Sequence, residues 1–259
     1  MRPAIAAFTA LLATTLAMGP AHAQDRVLRA GGTGVQAPMH YVSEDGTVTG
    51  IVVDLLAAIA ADVGFEVEHV VPVPHGDLVT ALTEQAIDIT GGTFAVTSER
   101  AALVAFSIPY MIQGEALVIR RDDPGSYRSL GDFRGKRIGV IRGSSYVPLV
   151  EGPPPGTFAE IRYYELTSDL MAALSRGEVD GVVYGFPIAA FDLLGGAYPE
   201  LMLAPGYVAA ATHLYAFGLR KEDQELVDAI NVSLENMMAD GRIRGIFTRY
   251  GLPYEDYTR

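Results

Sequence analysis

The chain has 259 residues, 49% of them apolar, with 19 Lys and Arg against 31 Asp and Glu and a formal charge of −12. This composition excludes a disordered chain, and the acidic balance without a basic stripe excludes a typical nucleic-acid binder. There is no cysteine, which excludes disulfides, thiolate nucleophiles and Cys-ligated metal centres. We expect no metal and no cofactor.

The N-terminus has the pattern of a secretory signal peptide. Arg2 precedes an uncharged apolar run over residues 4–18, and Ala-His-Ala at 21–23 places small residues at a cleavage site. The run is short for a membrane anchor, which needs about 20 apolar residues. We therefore predict a signal peptide over residues 1–23 and a mature chain beginning at Gln24. No cysteine follows, so we expect a soluble, monomeric, periplasmic protein without a lipid anchor.

Strands and helices alternate along the mature chain. The hydrophobic pattern predicts strands over residues 27–33, 65–73, 86–90, 115–120, 137–142 and 181–185. It predicts helices over residues 54–62, 76–85, 168–176, 222–239 and 242–250. Such alternation predicts an α/β fold with mostly parallel sheets covered by helices on both faces.

Ligands of open α/β sheets bind beyond the carboxyl ends of the strands. The segments that follow predicted strands are therefore the candidate binding segments, and Arg100 lies in one of them. It falls in the first turn of a helix that Thr97 or Ser98 could cap, where a cation opposes the helix dipole. Free N–H groups together with a guanidinium that can hold a carboxylate by two bonds make an anion site. The alternative is a surface arginine paired with Glu99 or another acid.

A second candidate segment follows the strand predicted at 137–142. Gly143 allows the backbone to approach a ligand closely, and a helix is expected to begin at Ser144 and Ser145. The serine hydroxyls could contact a ligand, cap the helix, or do both.

Five stretches in order resemble the family 3 extracellular solute-binding proteins, the periplasmic receptors that feed polar amino-acid ABC transporters. They include Gly-x-x-x-Asp at 50–54, Thr-x-x-Arg at 97–100 and Phe-Ser-x-Pro-Tyr at 106–110. No single piece is specific, whereas their order and spacing are. The stretches lie at residues 28–60, 88–110, 129–145, 174–185 and 214–241.

The resemblance implies the type II periplasmic-binding-protein fold. Two α/β lobes, each with a mostly parallel sheet flanked by helices, would be joined by two crossover strands and close on a ligand like a hinge. Lobe 1 would hold residues 24–113 and 212–259, and lobe 2 would hold residues 114–211.

The resemblance also implies roles for particular residues. Arg100 would bind the ligand's carboxylate, assisted by groups of Thr93 and by the backbone N–H of Ala95. Ser144 and Ser145 would complete this grip from lobe 2.

The sequence departs from the family's pattern at two places. Where the family stacks an aromatic ring on the ligand, this chain has Met39, so the ring is lost or replaced by His40 or Tyr41. Met39 itself could form a softer wall against the ligand. Phe94 could line the cleft or belong to the core. Gly185 stands where many amino-acid receptors carry an Asp that pairs with the ligand's ammonium, and residues 184–190 contain no acid. We therefore expect carboxylate ligands without a free ammonium, unless Glu115 or Asp192 compensates.

These observations predict a periplasmic binding protein that delivers a small carboxylate-bearing ligand to the membrane permease of an ABC importer. One alternative is a periplasmic accessory or sensor protein on the same fold, such as a partner of a quinoprotein dehydrogenase. A dehydratase-type enzyme is less favoured, because acid–base chemistry needs a positioned carboxylate or histidine. The cleft segments offer only His40 and His75 for that role.

Overall fold

The structure, a computed structural model, describes residues 26–254, so the predicted signal peptide lies outside the described residues. The helices are α1 (Ile51–Val63), α2 (Leu78–Thr83), α3 (Ser98–Ala101), α4 (Val147–Glu151), α5 (Thr167–Ser175), α6 (Phe186–Leu194), α7 (Gln224–Ala239) and α8 (Arg242–Arg249). The strands are β1 (Val27–Gly31), β2 (Val35–Gln36), β3 (His40–Val42), β4 (Val48–Thr49), β5 (Glu66–Val70), β6 (Ile89–Thr90), β7 (Ala105–Phe106), β8 (Met111–Arg120), β9 (Arg137–Ile141), β10 (Glu160–Tyr164), β11 (Gly181–Gly185), β12 (Leu201–Leu203), β13 (Thr212–Tyr215) and β14 (Gly218–Leu219).

The first lobe is built on a sheet with the strand order β5-β1-β6-β14-β7. Strand β1 pairs in parallel with β5 and β6, whereas β14 is antiparallel to both of its neighbours. The apolar faces of α1 and α7 are buried in the core of this lobe, where Leu55, Ile59 and Leu234 are fully buried. Helix α1 ends where Gly64 adopts a left-handed conformation.

The second lobe is built on a sheet with the order β10-β9-β11-β8-β12. Strands β10, β9 and β11 are parallel, and β8 runs antiparallel to β11 and β12. The first part of β8 pairs with β13, so the two crossover strands lie side by side between the lobes. The predicted boundaries at 113/114 and 211/212 fall at this ribbon and stay predictions.

The predicted two-lobe α/β fold is confirmed. Each sheet is mixed rather than uniformly parallel, because crossover strands and their neighbours join it in the opposite direction. Helix α6 was not predicted from the sequence. It begins at Phe186 and Pro187, where proline is tolerated in a first turn. Within residues 26–254 no helix has the length and apolarity needed to cross a membrane.

Candidate functional site

A small cavity lies between the two lobes, beside the crossover strands. Its volume is about 30 Å³, enough for about two water molecules. The first lobe, the second lobe and the crossover strands all contribute to the wall. The lining residues are Gln36, His75, Thr93, Gln113, Ile141, Ser144, Ser145, Tyr146, Thr167, Tyr184, Gly185, Ile188 and Tyr215.

The lobes touch each other at two glycines. Gly76 lies in the 3₁₀ turn His75–Asp77 of the first lobe, and Gly143 follows β9 in the second lobe. Gly143 has a φ of 68°, and a Cβ there would lie 2.5 Å from the Cα of Gly76. The cleft is therefore closed here by direct backbone contact.

Arg100 is not among the cavity-lining residues, but it contacts His75, which is, and it joins the lobes. Its backbone N–H donates to the Oγ1 of Thr97, which caps α3 as the sequence predicts. Its guanidinium donates to the carbonyl of Ala95 at 2.8 Å and, across the cleft, to the carbonyl of Gly143 at 2.8 Å. The guanidinium carbon lies 4.2 Å from the ring centroid of Phe94. The side chain is thus held between an aromatic face and carbonyls of both lobes.

The charge of Arg100 is buried without a counter-charge. Only 8% of the residue is exposed, and burial lowers its pKa to about 10, so it stays protonated at neutral pH. No Asp or Glu within residues 26–254 forms an ion pair with it at 4.0 Å or less. The second guanidinium nitrogen lies 3.3 Å from His75 Nε2. Burial and then the charge of Arg100 lower the pKa of His75 to about 3, so this ring is neutral.

Three of the other four predicted grip residues line the cavity, and Ala95 does not. Thr93 lines the cavity and donates its hydroxyl to Gln36. Ser144 and Ser145 line it from the second lobe, although α4 begins only at Val147, later than expected. Ala95 is buried and offers Arg100 its carbonyl. Ligand contact by these four residues stays a prediction.

Met39, His40 and Tyr41, the candidates for the ligand wall after the first strand, do not line this cavity. Met39 is fully buried in the core, and Tyr41 is part of β3; neither lines the cavity. His40 is fully buried, and burial lowers its pKa to about 4. Phe94 is also fully buried. Its ring stacks on the ring of Phe106 and contacts the guanidinium of Arg100.

Two tyrosines supply aromatic surface that the sequence reasoning missed. Tyr146, at the start of α4, and Tyr215, on β13, place their hydroxyl oxygens 2.8 Å apart across the cleft. Burial raises the pKa of both phenols, so both are neutral at physiological pH. A polar side chain in β8 is not a signal for the site, because the strand also carries Glu115 and Arg120.

Gly185 lines the cavity, and the two acids that could compensate for it are engaged elsewhere. The carboxylate of Glu115 accepts hydrogen bonds from the hydroxyl of Tyr207 and from the backbone N–H groups of Ala210 and Ala211. Asp192 accepts a hydrogen bond from the hydroxyl of Tyr184, and burial raises its pKa to about 6. Neither acid is among the lining residues given above, none of which is Asp or Glu.

Residues 28–253 match the model of the bacterial extracellular solute-binding proteins, family 3. The chain belongs to this family. The match covers both lobes and the crossover strands, so the resemblance predicted from the sequence is confirmed. Solute binding outside the cytoplasm is the role that defines the family.

Among family 3 relatives, the probable amino-acid-binding protein YxeM of Bacillus subtilis is 25% identical over 93% of this chain and 91% of its own. An ancestral arginine-binding protein bound to arginine superposes with a TM-score of 0.82. It is 28% identical, and the match covers 88% of this chain and 99% of the other.

A further solved structure is connected with an enzyme. The ancestral amino acid-binding protein AncCDT-1, described as a precursor of cyclohexadienyl dehydratase, has a TM-score of 0.78 to this chain. The two are 25% identical, with 86% of this chain and 95% of the other covered. The family 3 scaffold is therefore compatible with binding proteins from which enzymes descend.

Proposed function

We propose that this protein captures a small carboxylate-bearing ligand in the periplasm by closing its two lobes, and delivers it to the permease of an ABC importer. The observation that carries the proposal is the buried, uncompensated guanidinium of Arg100 at the junction of the lobes. A buried cation is stabilised by an anion held in two charged hydrogen bonds. A carboxylate is an anion whose two oxygens match the geometry of the guanidinium.

The present hydrogen bonds suggest how the carboxylate enters. Arg100 donates one bond within its own lobe, to Ala95, and one across the cleft, to Gly143. Opening the lobes breaks the second bond and frees one side of the guanidinium. The ligand's carboxylate then takes that side, and the hydroxyls of Thr93 and Ser144 complete its contacts on closure.

The ligand carries no free ammonium in this proposal. Glu115 is bonded to groups outside the cavity, Asp192 accepts from the hydroxyl of Tyr184, and the lining has no acid. An unpaired ammonium buried beside Arg100 would offset much of the free energy gained by the carboxylate. Several relatives are named as amino-acid-binding proteins, so this chain would differ from them at the ammonium end of the ligand.

The test is titration calorimetry of the mature protein with organic acids and the common amino acids. Arg100→Ala should lower the affinity for any bound acid at least a hundredfold, because two charged hydrogen bonds are lost. Arg100→Lys should retain part of it. Arg142→Ala is the matched control, since Arg142 is an exposed neighbour of the cleft paired with Glu165. Unchanged affinity in Arg100→Ala would refute the proposal.

A second candidate is an accessory or sensor protein. It is favoured because the guanidinium of Arg100 already forms hydrogen bonds with carbonyls of the chain itself. The carbonyls of Ala95 and Gly143 accept from two of the five guanidinium N–H groups of Arg100, and the cavity is small. Such a protein would present its closed surface to a partner. Affinity capture from periplasm with the mature protein as bait separates the two, because an importer permease supports delivery and a dehydrogenase or sensor kinase supports the accessory role.

We also infer binding rather than catalysis. Dehydratase chemistry needs a proton acceptor and a proton donor near the substrate. His75 is the titratable nitrogen base in the lining, and it already faces Arg100 with a strongly lowered pKa. Incubation of any identified ligand with the protein should return it unchanged.

A further inference from the structure

Gln113 lies where the crossover strand β8 passes the cleft. It is 8% exposed, lines the cavity, and pairs through its backbone with His213 on β13. The Oε1 of its side chain is buried and has no hydrogen-bond partner within residues 26–254. Buried amide oxygens are nearly always hydrogen-bonded. Gln113 therefore offers a free acceptor to a donor that enters the cleft.

The Gln113 amide also occupies the space that a side chain at position 185 would need. A Cβ on Gly185 would lie 2.9 Å from Gln113 Nε2 and 3.5 Å from Gln113 Cδ. An acid at position 185 would therefore require the Gln113 amide to move. Near Gly185 the cavity wall carries a neutral amide and no carboxylate.

The titratable side chains that line the cavity beside Gln113 are neutral as well. Burial raises the pKa of Tyr146 and Tyr215, and hydrogen bonding by Gln113 only partly opposes this. His75 is neutral, since its pKa is lowered to about 3. Glu115 lies two residues along β8 and opposite Gly185, but its carboxylate is held by Tyr207, Ala210 and Ala211 and does not line the cavity. The lining itself therefore offers no counter-charge to a ligand's ammonium.

We propose that Gln113 determines the ligand class of the cleft: it accepts a hydrogen bond from the neutral hydroxyl of a 2-hydroxy acid and thereby selects such acids over the corresponding 2-amino acids. This inference rests on the proposed carboxylate grip of Arg100. The carboxylate is held at one end, and the Oε1 of Gln113 satisfies the hydroxyl at the other. Because this oxygen carries no formal negative charge, an ammonium in the same position would lack a counter-charge.

The experiment compares matched pairs of acids that differ only at C2. The probes are L-lactate and L-alanine, L-malate and L-aspartate, and L-2-hydroxyglutarate and L-glutamate, titrated into the mature protein at neutral pH. In the tightest-binding pair the hydroxy acid should bind at least tenfold more tightly than the amino acid. Equal or tighter binding of the amino acid overturns the inference.

Two variants of Gln113 test whether this residue is the cause. Gln113→Glu keeps the shape and adds a negative charge, and it should shift the preference at least tenfold toward the amino acid. Gln113→Leu removes the acceptor and should weaken the hydroxy acid about tenfold more than it weakens the unsubstituted acid (propionate, succinate or glutarate). Melting curves establish that each variant is folded, and an unchanged hydroxy-to-amino ratio in the folded variants overturns the assignment.

The outcomes separate this inference from the function on which it rests. If Arg100→Ala abolishes binding while the wild type prefers the amino acids, the carboxylate grip stands and the role of Gln113 is refuted. If no acid of either series binds the wild type, both are refuted.

Discussion

The backbones of Gly76 and Gly143 meet across the cleft so closely that a Cβ on Gly143 would lie 2.5 Å from the Cα of Gly76. The atom that this Cβ would meet belongs to the backbone, so a side-chain rotation cannot relieve the clash. Beside this contact, the guanidinium of Arg100 reaches the Gly143 carbonyl. The absence of a side chain at one position thus permits both the closed geometry and the bond between the lobes.

Gly143→Ala should hold the lobes apart and weaken ligand binding. The matched control is Gly135→Ala, because Gly135 also has a positive φ (76°) but its Cβ would meet no atom within 4 Å. Both variants strain the backbone by about 1 kcal/mol, so both should melt at a lower temperature. Only Gly143→Ala should have a larger radius of gyration by X-ray scattering than the wild type. Equal radii for the three proteins would contradict the role of this contact in closure.

Arg100→Ala should also destabilise the protein, by about 1–3 kcal/mol in the free energy of unfolding. The substitution removes a donor from the buried carbonyl of Ala95 and uncovers the ring of Phe94. Denaturant unfolding of the unliganded protein measures this cost directly. Arg142→Ala serves again as the control and should change the free energy of unfolding by less than about 1 kcal/mol, since its ion pair is exposed. If Arg100→Ala leaves the free energy of unfolding unchanged, the packing of the Arg100 side chain contributes nothing to stability.

The sequence predicts the elements whose hydrophobic pattern is complete in a short window. The strand at 181–185 and the helices near 224–239 and 242–249 agree closely with the structure. The small sheet β2-β3-β4 was not predicted, since two- and three-residue strands are too short to show a period. Antiparallel joining of the crossover strands depends on contacts between distant segments, which local pattern does not contain.

Some residues of the candidate site can be predicted from local sequence, and others cannot. Arg100 stands out in the sequence because a cation in a helix first turn is locally unfavourable, and the structure places it at the lobe junction. Gln113 and Tyr215 have no such local signature. Their positions follow only from the pairing of β8 with β13, which brings residues about a hundred positions apart to one wall. Met39 illustrates the reverse case, in which a family position is filled by a core residue.

Acid should destabilise the protein below about pH 6.5, partly through His40. Burial lowers the pKa of this ring to about 4 in the folded state, so the unfolded state binds more protons between about pH 6.5 and 4. Stability present above pH 6.5 is therefore lost as the pH falls toward 4. Asp192 acts in the opposite direction, because its pKa is raised to about 6 and its contribution is lost as the pH rises through that value.

His40→Asn isolates the histidine from the aspartate, since Asp192 is present in both proteins. The Asn side-chain oxygen can accept from the N–H of Gly34, as His40 Nδ1 does at 3.3 Å. Between pH 7 and pH 4.5 the variant should lose less stability than the wild type, by on the order of 2 kcal/mol. Denaturant unfolding at both pH values gives the difference. Parallel pH profiles would show that His40 is not buried as a neutral ring.

The hydrogen bond between the hydroxyls of Tyr146 and Tyr215 should favour the closed form, since Tyr146 belongs to the second lobe and Tyr215 is bridged to Ala95 in the first. In Tyr215→Phe one neutral hydrogen bond is lost on closing, which corresponds to a three- to tenfold loss of affinity for the tightest acid found by calorimetry. Tyr163→Phe is the matched control, because its hydroxyl donates to Glu151 on the surface of the second lobe. If both variants lose affinity equally, the loss comes from general destabilisation. A loss confined to Tyr215→Phe, with the melting temperatures of the two variants alike, assigns it to closure.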